Sequence, residues 1–227
     1  WASVLGVYGV GFIVALIGAL LGQMRTAGWR KPLPWIAILL LLGLGGLLRA
    51  MDWTQPAGSP VSVALLQGNV PQSLKWDPKR LPLSVETYLQ LARAHPAELI
   101  VLPETAIPLF FNEVPREVLR GLTAHGDALI GVAIGTNDGG YTNGAVALTP
   151  QLAVSAYAKR HLVPFGEYPP PGFAWFFNFA RIPMSNFTAG PPRQQALAIA
   201  GQRIAPNICY EDLFGEELLD VLPTATL

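Results

Sequence analysis

The sequence predicts an α/β domain on a mixed β-sheet, preceded by two membrane-spanning helices. Three observations lead there. Most of the apolar excess lies in the first fifty residues, in two long stretches without charge. Beyond residue 60, short apolar runs alternate with segments of helical spacing, the pattern of strands covered by helices. A glycine-rich turn then joins two strand-like runs with no helix between them, which adds antiparallel pairing to the sheet.

Residues 1–24 carry no charge. At 1.5 Å per residue such a helix spans roughly 36 Å, more than the ~30 Å hydrocarbon core of a bilayer. Gly6, Gly9, Gly11, Gly18 and Gly22 would weaken a soluble helix but are common in membrane helices. Residues 32–48 form a second uncharged stretch, short for a span, with Trp35 placed as an interfacial anchor. A buried soluble helix is the alternative for this segment. Arg25, Arg30 and Lys31 lie between the two stretches with no anion beside them, which puts the loop in the cytoplasm. The chain after Asp52 then lies across the membrane, in the periplasm of a bacterium. The chain opens on Trp1 with no basic segment before its apolar run, so it reads as an excerpt of a longer protein rather than as a signal peptide.

Residues 51–60 have turn chemistry and form a linker, leaving 61–227 as one domain with its own core. Residues 61–67 read as an apolar strand. Leu81, Val85, Tyr88, Leu89 and Ala92 keep helical spacing, which predicts an amphipathic helix over 78–95. A strand covered on both faces is expected at 98–102, a short helix at 115–124 and another buried strand at 128–135. Asp138-Gly-Gly140 turns the chain into a strand at 141–148, followed by one at 152–159. Strands at 196–200 and 203–209 and a helix at 213–222 complete the pattern. Residues 164–193 are long for a structureless connection and suggest a functional lid. Phe165, Phe173, Trp175, Phe176, Phe177, Phe179 and Phe187 make disorder a poor reading of it. Their rings either pack into the domain's own core or face a bilayer or an acyl chain.

Composition excludes several function classes. Charged residues are 13% of the chain, against about 25% in ordinary soluble domains, and apolar residues are 51%. Net charge is zero, so no basic surface favours nucleic acid. His95, His125 and His161 lack metal-ligand spacing, and no phosphate-binding glycine loop is present. Neither a metal nor a cofactor is expected.

Chemistry concentrates at three places. Cys209 is the single cysteine and has no partner for an intramolecular disulfide, so it is either an inert core residue or a reactive group. Glu104 ends the apolar run Leu99-Ile-Val-Leu-Pro-Glu, and Lys159 ends the run before Arg160. A thiol of pKa ~8.5 is mostly protonated at neutral pH, so a nucleophilic Cys209 needs a base such as Glu104. An ammonium at Lys159 would stabilise the oxyanion of acyl transfer. The plainer reading is a buried cysteine and a surface Glu104–Lys159 pair worth under ~1 kcal/mol. His161 offers a third arrangement, a Cys–His dyad, which leaves the glutamate and the lysine without roles.

The motifs Val-Leu-Pro-Glu104-Thr, Lys159-Arg-His-Leu-Val-Pro-Phe-Gly-Glu167 and Ile-Cys209-Tyr-Glu211 together resemble the Glu–Lys–Cys triad of the nitrilase (carbon–nitrogen hydrolase) superfamily. Leu66-Gln-Gly-Asn-Val-Pro-Gln-Ser-Leu-Lys-Trp76 and the apolar stretches before it are similar to the superfamily's membrane-bound lipoprotein N-acyltransferase branch. The resemblance covers the whole chain and implies a nitrilase-like αββα sandwich after two transmembrane helices. It implies that Cys209 takes an acyl chain from a phospholipid, typically phosphatidylethanolamine, as a thioester. The α-amine of a diacylglyceryl-cysteine apolipoprotein then takes the chain as an amide. Glu104 would be the general base and Lys159 the oxyanion partner. Glu167 would orient that lysine or the substrate amine, Tyr210 and Glu211 would flank the nucleophile, and Asn143 and Trp76 match positions associated with the active site. Trp76 equally suits a packing aromatic. The family continues past this C-terminus with further strands and a membrane helix, so this piece alone is expected to be inactive. A membrane-tethered amidase that uses water as second nucleophile and a catalytically silent lipoprotein-binding scaffold are the alternatives.

Overall fold

The computed structural model describes residues 1–56, 58–71, 75–77, 79–173 and 186–227, with backbone alone at Ala27. The chain divides into two compact units, Trp1–Gly58 and Ser59–Leu227. In the first, helix α1 (Ala2–Ala27) is interrupted at Gly6, whose φ of 63° suits a residue without Cβ. Helix α2 (Pro32–Arg49) starts on a proline, where the missing N–H leaves no bond unmade. The Trp1 indole N–H donates to the Leu41 carbonyl at 3.0 Å and ties the start of α1 to α2. Both helices are long and apolar enough to cross a membrane. Phe12, Val14, Leu39, Leu40 and Leu47 are exposed, which is not the pattern of a soluble core helix.

The second unit is built on a six-stranded mixed sheet in the order β1 (Val63–Leu65), β2 (Leu99–Val101), β4 (Asp127–Gly135), β5 (Tyr141–Leu148), β6 (Val154–Ala158). A further strand, β3 (Ile107–Phe110), also pairs with β4. The β1–β2, β2–β4 and β3–β4 pairs are parallel, whereas β4–β5 and β5–β6 are antiparallel hairpins. Gly139, with φ 82°, makes the turn between β4 and β5. Strand alternation then sorts two cores. Ile100, Ala128, Ile130, Val146 and Leu148 face helices α3 (Leu81–Ala94) and α4 (Arg116–Leu122), which contribute Tyr88, Ala92, Leu119 and Leu122. Leu99, Leu129, Ala145 and Ala147 face the hairpin of β7 (Leu197–Ile199) and β8 (Gln202–Ile204), packing on Leu197, Ile199, Ile204 and Ile208. Helices, sheet and hairpin thus stack as three layers.

Strands β2 and β3 lie along one edge of β4, and between them the chain leaves the ladder. The Leu102 N–H donates to the Leu129 carbonyl at 2.9 Å and the Ala106 N–H to the Gly131 carbonyl at 2.8 Å. Pro103, Glu104 and Thr105 bulge out between these two bonds, and Thr105 takes a φ of 44°. The bulge fits because Gly131 has no side chain: a Cβ there would stand 2.1 Å from the Pro103 carbonyl oxygen and 2.7 Å from Glu104 Cα.

Several expectations need correction. Strand β3 was not expected. The strand assigned to 203–209 stops at Ile204, so Cys209 opens a 3₁₀ turn (Cys209–Leu213) rather than ending a strand. The last two strands form their own two-stranded sheet. The terminal helix α5 is shorter than expected, at Gly215–Leu219. The helix expected from Pro78 starts at Leu81, and Pro78 itself lies outside the described residues, as do Gln72, Ser73, Leu74, Trp175, Phe176, Phe177 and Phe179.

Alanine at a strand glycine is ordinarily neutral or stabilising. At Gly131 it must move the Glu104 bulge, so Gly131→Ala is expected to lower the thermal melting temperature in detergent. A melting temperature at or above wild type would show that the bulge has room to spare.

Candidate active site

Three neighbouring backbone segments bring the charged groups together. The bulge on the edge of β4 presents Glu104. Asn143 is on β5, which pairs with the other edge of β4. Lys159 follows β6 directly, and its N–H donates to the Asn143 carbonyl at 2.7 Å. The Gly190 N–H donates to the Lys159 carbonyl at 2.8 Å, so both backbone groups of the lysine are held.

The Lys159 side chain is fully buried, and its Nζ stands 2.8 Å from Glu167 Oε1 and 3.6 Å from Glu104 Oε1. The reading of Glu104 and Lys159 as a surface pair is therefore wrong. A lysine is stable in such a place only when paired, because burial of an ammonium alone is prohibitive. Asn143, also buried, completes the cluster: its Nδ2 donates to Glu104 Oε1 at 2.5 Å and to Glu167 Oε1 at 2.9 Å. Those two carboxylates fix the orientation of the amide, since its oxygen in that position would face them unpaired. Among the described residues Asn143 Oδ1 finds no donor. Glu167 is anchored from the other side, as the Val163 N–H donates to its Oε2 at 2.8 Å. One cation sits among two carboxylates, and the Glu104 side chain remains about 35% exposed, facing outward from an otherwise closed cluster.

Cys209 is exposed and has a φ of 55°, in the left-handed region that a residue with a Cβ enters only under constraint. The constraint is the buried carboxylate of Glu211. Its Oε2 accepts from the Ile208 N–H at 2.9 Å, across the cysteine. Its Oε1 accepts from the Tyr157 hydroxyl at 2.7 Å, the Arg160 N–H at 2.7 Å and the His161 N–H at 3.3 Å. One side chain thus ties the cysteine turn to β6 and to the two residues that follow Lys159. Burial, and then the bond to Glu211, pushes the Tyr157 hydroxyl far above its ordinary pKa, so it stays a proton donor. Cys209 and Glu104 line one cleft of about 620 Å³ whose walls include Leu99, Val101, Leu129 and Ile208.

Seven of the eight residues singled out from the sequence fall into these groups. Glu104, Asn143, Lys159 and Glu167 form one cluster. Cys209, Tyr210 and Glu211 form the adjoining turn, where the Tyr210 ring packs edge-on against Phe214 at 5.3 Å. Trp76 is half-buried and, among the described residues, makes no hydrogen bond. Its neighbour Lys75 was passed over, yet its Nζ donates to the Glu104 carbonyl at 3.0 Å. Burial lowers the Lys75 pKa, opposed by the charge of Glu104. Tyr157 was missed too. Two residues before Lys159, it offered only the period-two spacing of a strand as a signal. Among the described residues no group of His, Cys, Asp and Glu side chains is arranged to hold a metal ion.

A buried lysine amid carboxylates, beside a cysteine held in a strained turn, matches the family that the motifs resemble. Residues 62–224 fit the carbon–nitrogen hydrolase family, and the chain belongs to it. Over its entire length it is 42% identical to the apolipoprotein N-acyltransferase of Nitrosomonas europaea, of which it covers 47%. Over 96% of its length it is 44% identical to that of Chromobacterium violaceum, of which it covers 44%. The chain therefore spans just under half the length of these curated relatives. Among solved structures, the fold is like that of XC1258 from Xanthomonas campestris, a CN-hydrolase superfamily protein with an arsenic adduct in its active site. The TM-score is 0.50 and the identity 23%, over 69% of this chain and 56% of that one.

Removing one partner of a buried ion pair leaves an uncompensated charge, at a cost of about 3–5 kcal/mol. Lys159→Met is expected to destabilise the protein by that order in chemical denaturation. Adding Glu167→Gln should recover part of the loss, because one of the two stranded carboxylates is gone. If the cost of the double variant equals the sum of the costs of Lys159→Met and Glu167→Gln measured singly, Lys159 and Glu167 are not energetically coupled.

Proposed function

We propose that this chain is the catalytic part of a membrane-bound enzyme that moves a fatty acyl chain from a phospholipid to the N-terminal amine of a lipoprotein. In this reading residues 1–50 are a transmembrane hairpin, 51–60 a linker and 61–227 the catalytic domain, on the periplasmic side of a bacterial inner membrane. The observation that carries the reading is the shared cleft: Cys209 and the exposed edge of Glu104 open onto the same largely aliphatic space. Support also comes from the relatives' activity as their name states it, from the two apolar helices and from the cationic loop between them.

Glu104 takes the proton of the Cys209 thiol, and the sulfur attacks the ester carbonyl of the phospholipid. The carbon–sulfur bond forms as the carbonyl π pair moves to oxygen, and the Lys159 ammonium stabilises that oxyanion electrostatically. Collapse breaks the ester carbon–oxygen bond. The proton held by Glu104 goes to the leaving alkoxide, so a lysophospholipid departs and a thioester remains. In the second half, the α-amine of a diacylglyceryl-cysteine attacks the thioester while Glu104 accepts the amine proton. Breakdown forms the amide and returns that proton to the thiolate. Glu167 and Asn143 hold Lys159 and Glu104 in register throughout, and Glu211 with Tyr210 supports the cysteine. Lys75 borders the Glu104 side, with Trp76 next to it in the chain. No cofactor is required.

Intact-mass measurement tests this. The detergent-purified whole protein incubated with phosphatidylethanolamine is expected to gain a fatty acyl group that maps to Cys209 and is absent from Cys209→Ala. Glu104→Gln should slow its appearance by about 10²-fold or more. An amine acceptor should discharge the adduct as an amide. Discharge by water at the same rate would favour a tethered hydrolase, and no adduct at all would sink the thioester route.

A further inference from the structure

His161 lies outside every role assigned so far, although it stands two residues from Lys159. Among the described residues its imidazole makes no hydrogen bond to Cys209. Instead the ring lies nearly parallel on Phe214, with centroids 3.3 Å apart and planes 14° from parallel. The Tyr210 ring meets its edge at 5.8 Å. Its Nδ1 stands 3.3 Å from Glu217 Oε1, an oxygen that also lies 3.3 Å from Arg160 Nε. Its backbone N–H reaches Glu211. Every one of these partners except Arg160 belongs to the segment that follows Cys209.

The consequence is geometric. Cys209 sits in a 3₁₀ turn at the head of that segment, on backbone its own Cβ disfavours. Lys159 is locked in place from the sheet side by Asn143, Glu167 and Gly190. The two halves of the site are then joined through Glu211 in the interior and through His161 at the rim. Through the Phe214 and Tyr210 rings, His161 holds that turn against the segment that carries Lys159.

We propose that His161 is a positioning residue whose ring clamps the Cys209 turn against the Lys159 segment. This rests on the reading of Cys209 as the nucleophile and adds a group that works through Phe214 and Tyr210, not on the substrate. Because Cys209 is already exposed, alkylation there reports the chemical setting of the sulfur more than access to it. The second-order rate of Cys209 alkylation by iodoacetamide, followed by mass spectrometry on the purified chain in detergent, therefore tests the clamp without any acyl donor. Failure of the acyl-transfer reading leaves this measurement intact. His161→Ala is expected to slow alkylation about tenfold. His161→Phe keeps the stacked ring and should restore the rate to within about twofold of wild type, which a purely global loss of stability would not do. His161→Ala alkylating at the wild-type rate would overturn the proposal. So would His161→Phe that melts like wild type yet alkylates as slowly as His161→Ala.

Discussion

The unit that follows residue 58 is organised around one buried ammonium. Lys159 has no exposed surface, and its charge is tolerated because Glu167 and Glu104 stand beside it while Asn143 bonds both carboxylates. The four groups come from the bulge beside β4, from β5 and from the connection after β6, so the cluster cannot close until β4, β5 and β6 are in register. The electrostatic requirement thus works in two directions. The sheet brings the charges together, and the desolvated lysine penalises any register that separates them. A half-formed cluster would leave a bare charge in an apolar interior, which disfavours partly assembled states of the sheet.

The division of labour between the two sides of the cleft follows from their backbones. The Glu104 side is a bulge on a parallel sheet edge, seated over a glycine and closed by ladder bonds before and after it. It is rigid because the sheet is rigid. The Cys209 side is a short turn on a two-stranded hairpin whose main anchor is a single carboxylate, Glu211, accepting four donors. Hydrogen bonds to a charged acceptor are individually stronger than neutral ones, at about 1.5–3 kcal/mol each. That concentration of bonds offsets the weak secondary structure around Cys209.

Much of this was legible in the sequence, and the failures have physical causes. Glu104 and Lys159 stood out because each interrupts an apolar run with a charge, and a strand buried on both faces admits no charge without a reason. Strand β3 was hidden by Pro108, which demotes a run to a sheet edge, and by its closeness to β2. Pro206 stops β8 short of Cys209 for the same reason, since proline gives the ladder no donor. The burial of Lys159 could not be read from the chain, because lysine is almost never fully buried and only its partners reveal the exception. The bonds of Glu211 to Tyr157 and Arg160 join residues 54 and 51 positions apart. No local pattern encodes them. The two apolar helices were the plainest feature, because length and the absence of charge suffice to define them.

The left-handed backbone at Cys209 has a consequence for how this protein can vary. Such a conformation costs a residue with a Cβ roughly 1–2 kcal/mol, and glycine alone escapes that penalty. Drift toward greater robustness would therefore favour deletion of the thiol itself. A cysteine persists at this φ only while selection for chemistry outweighs the conformational relief that its loss would bring.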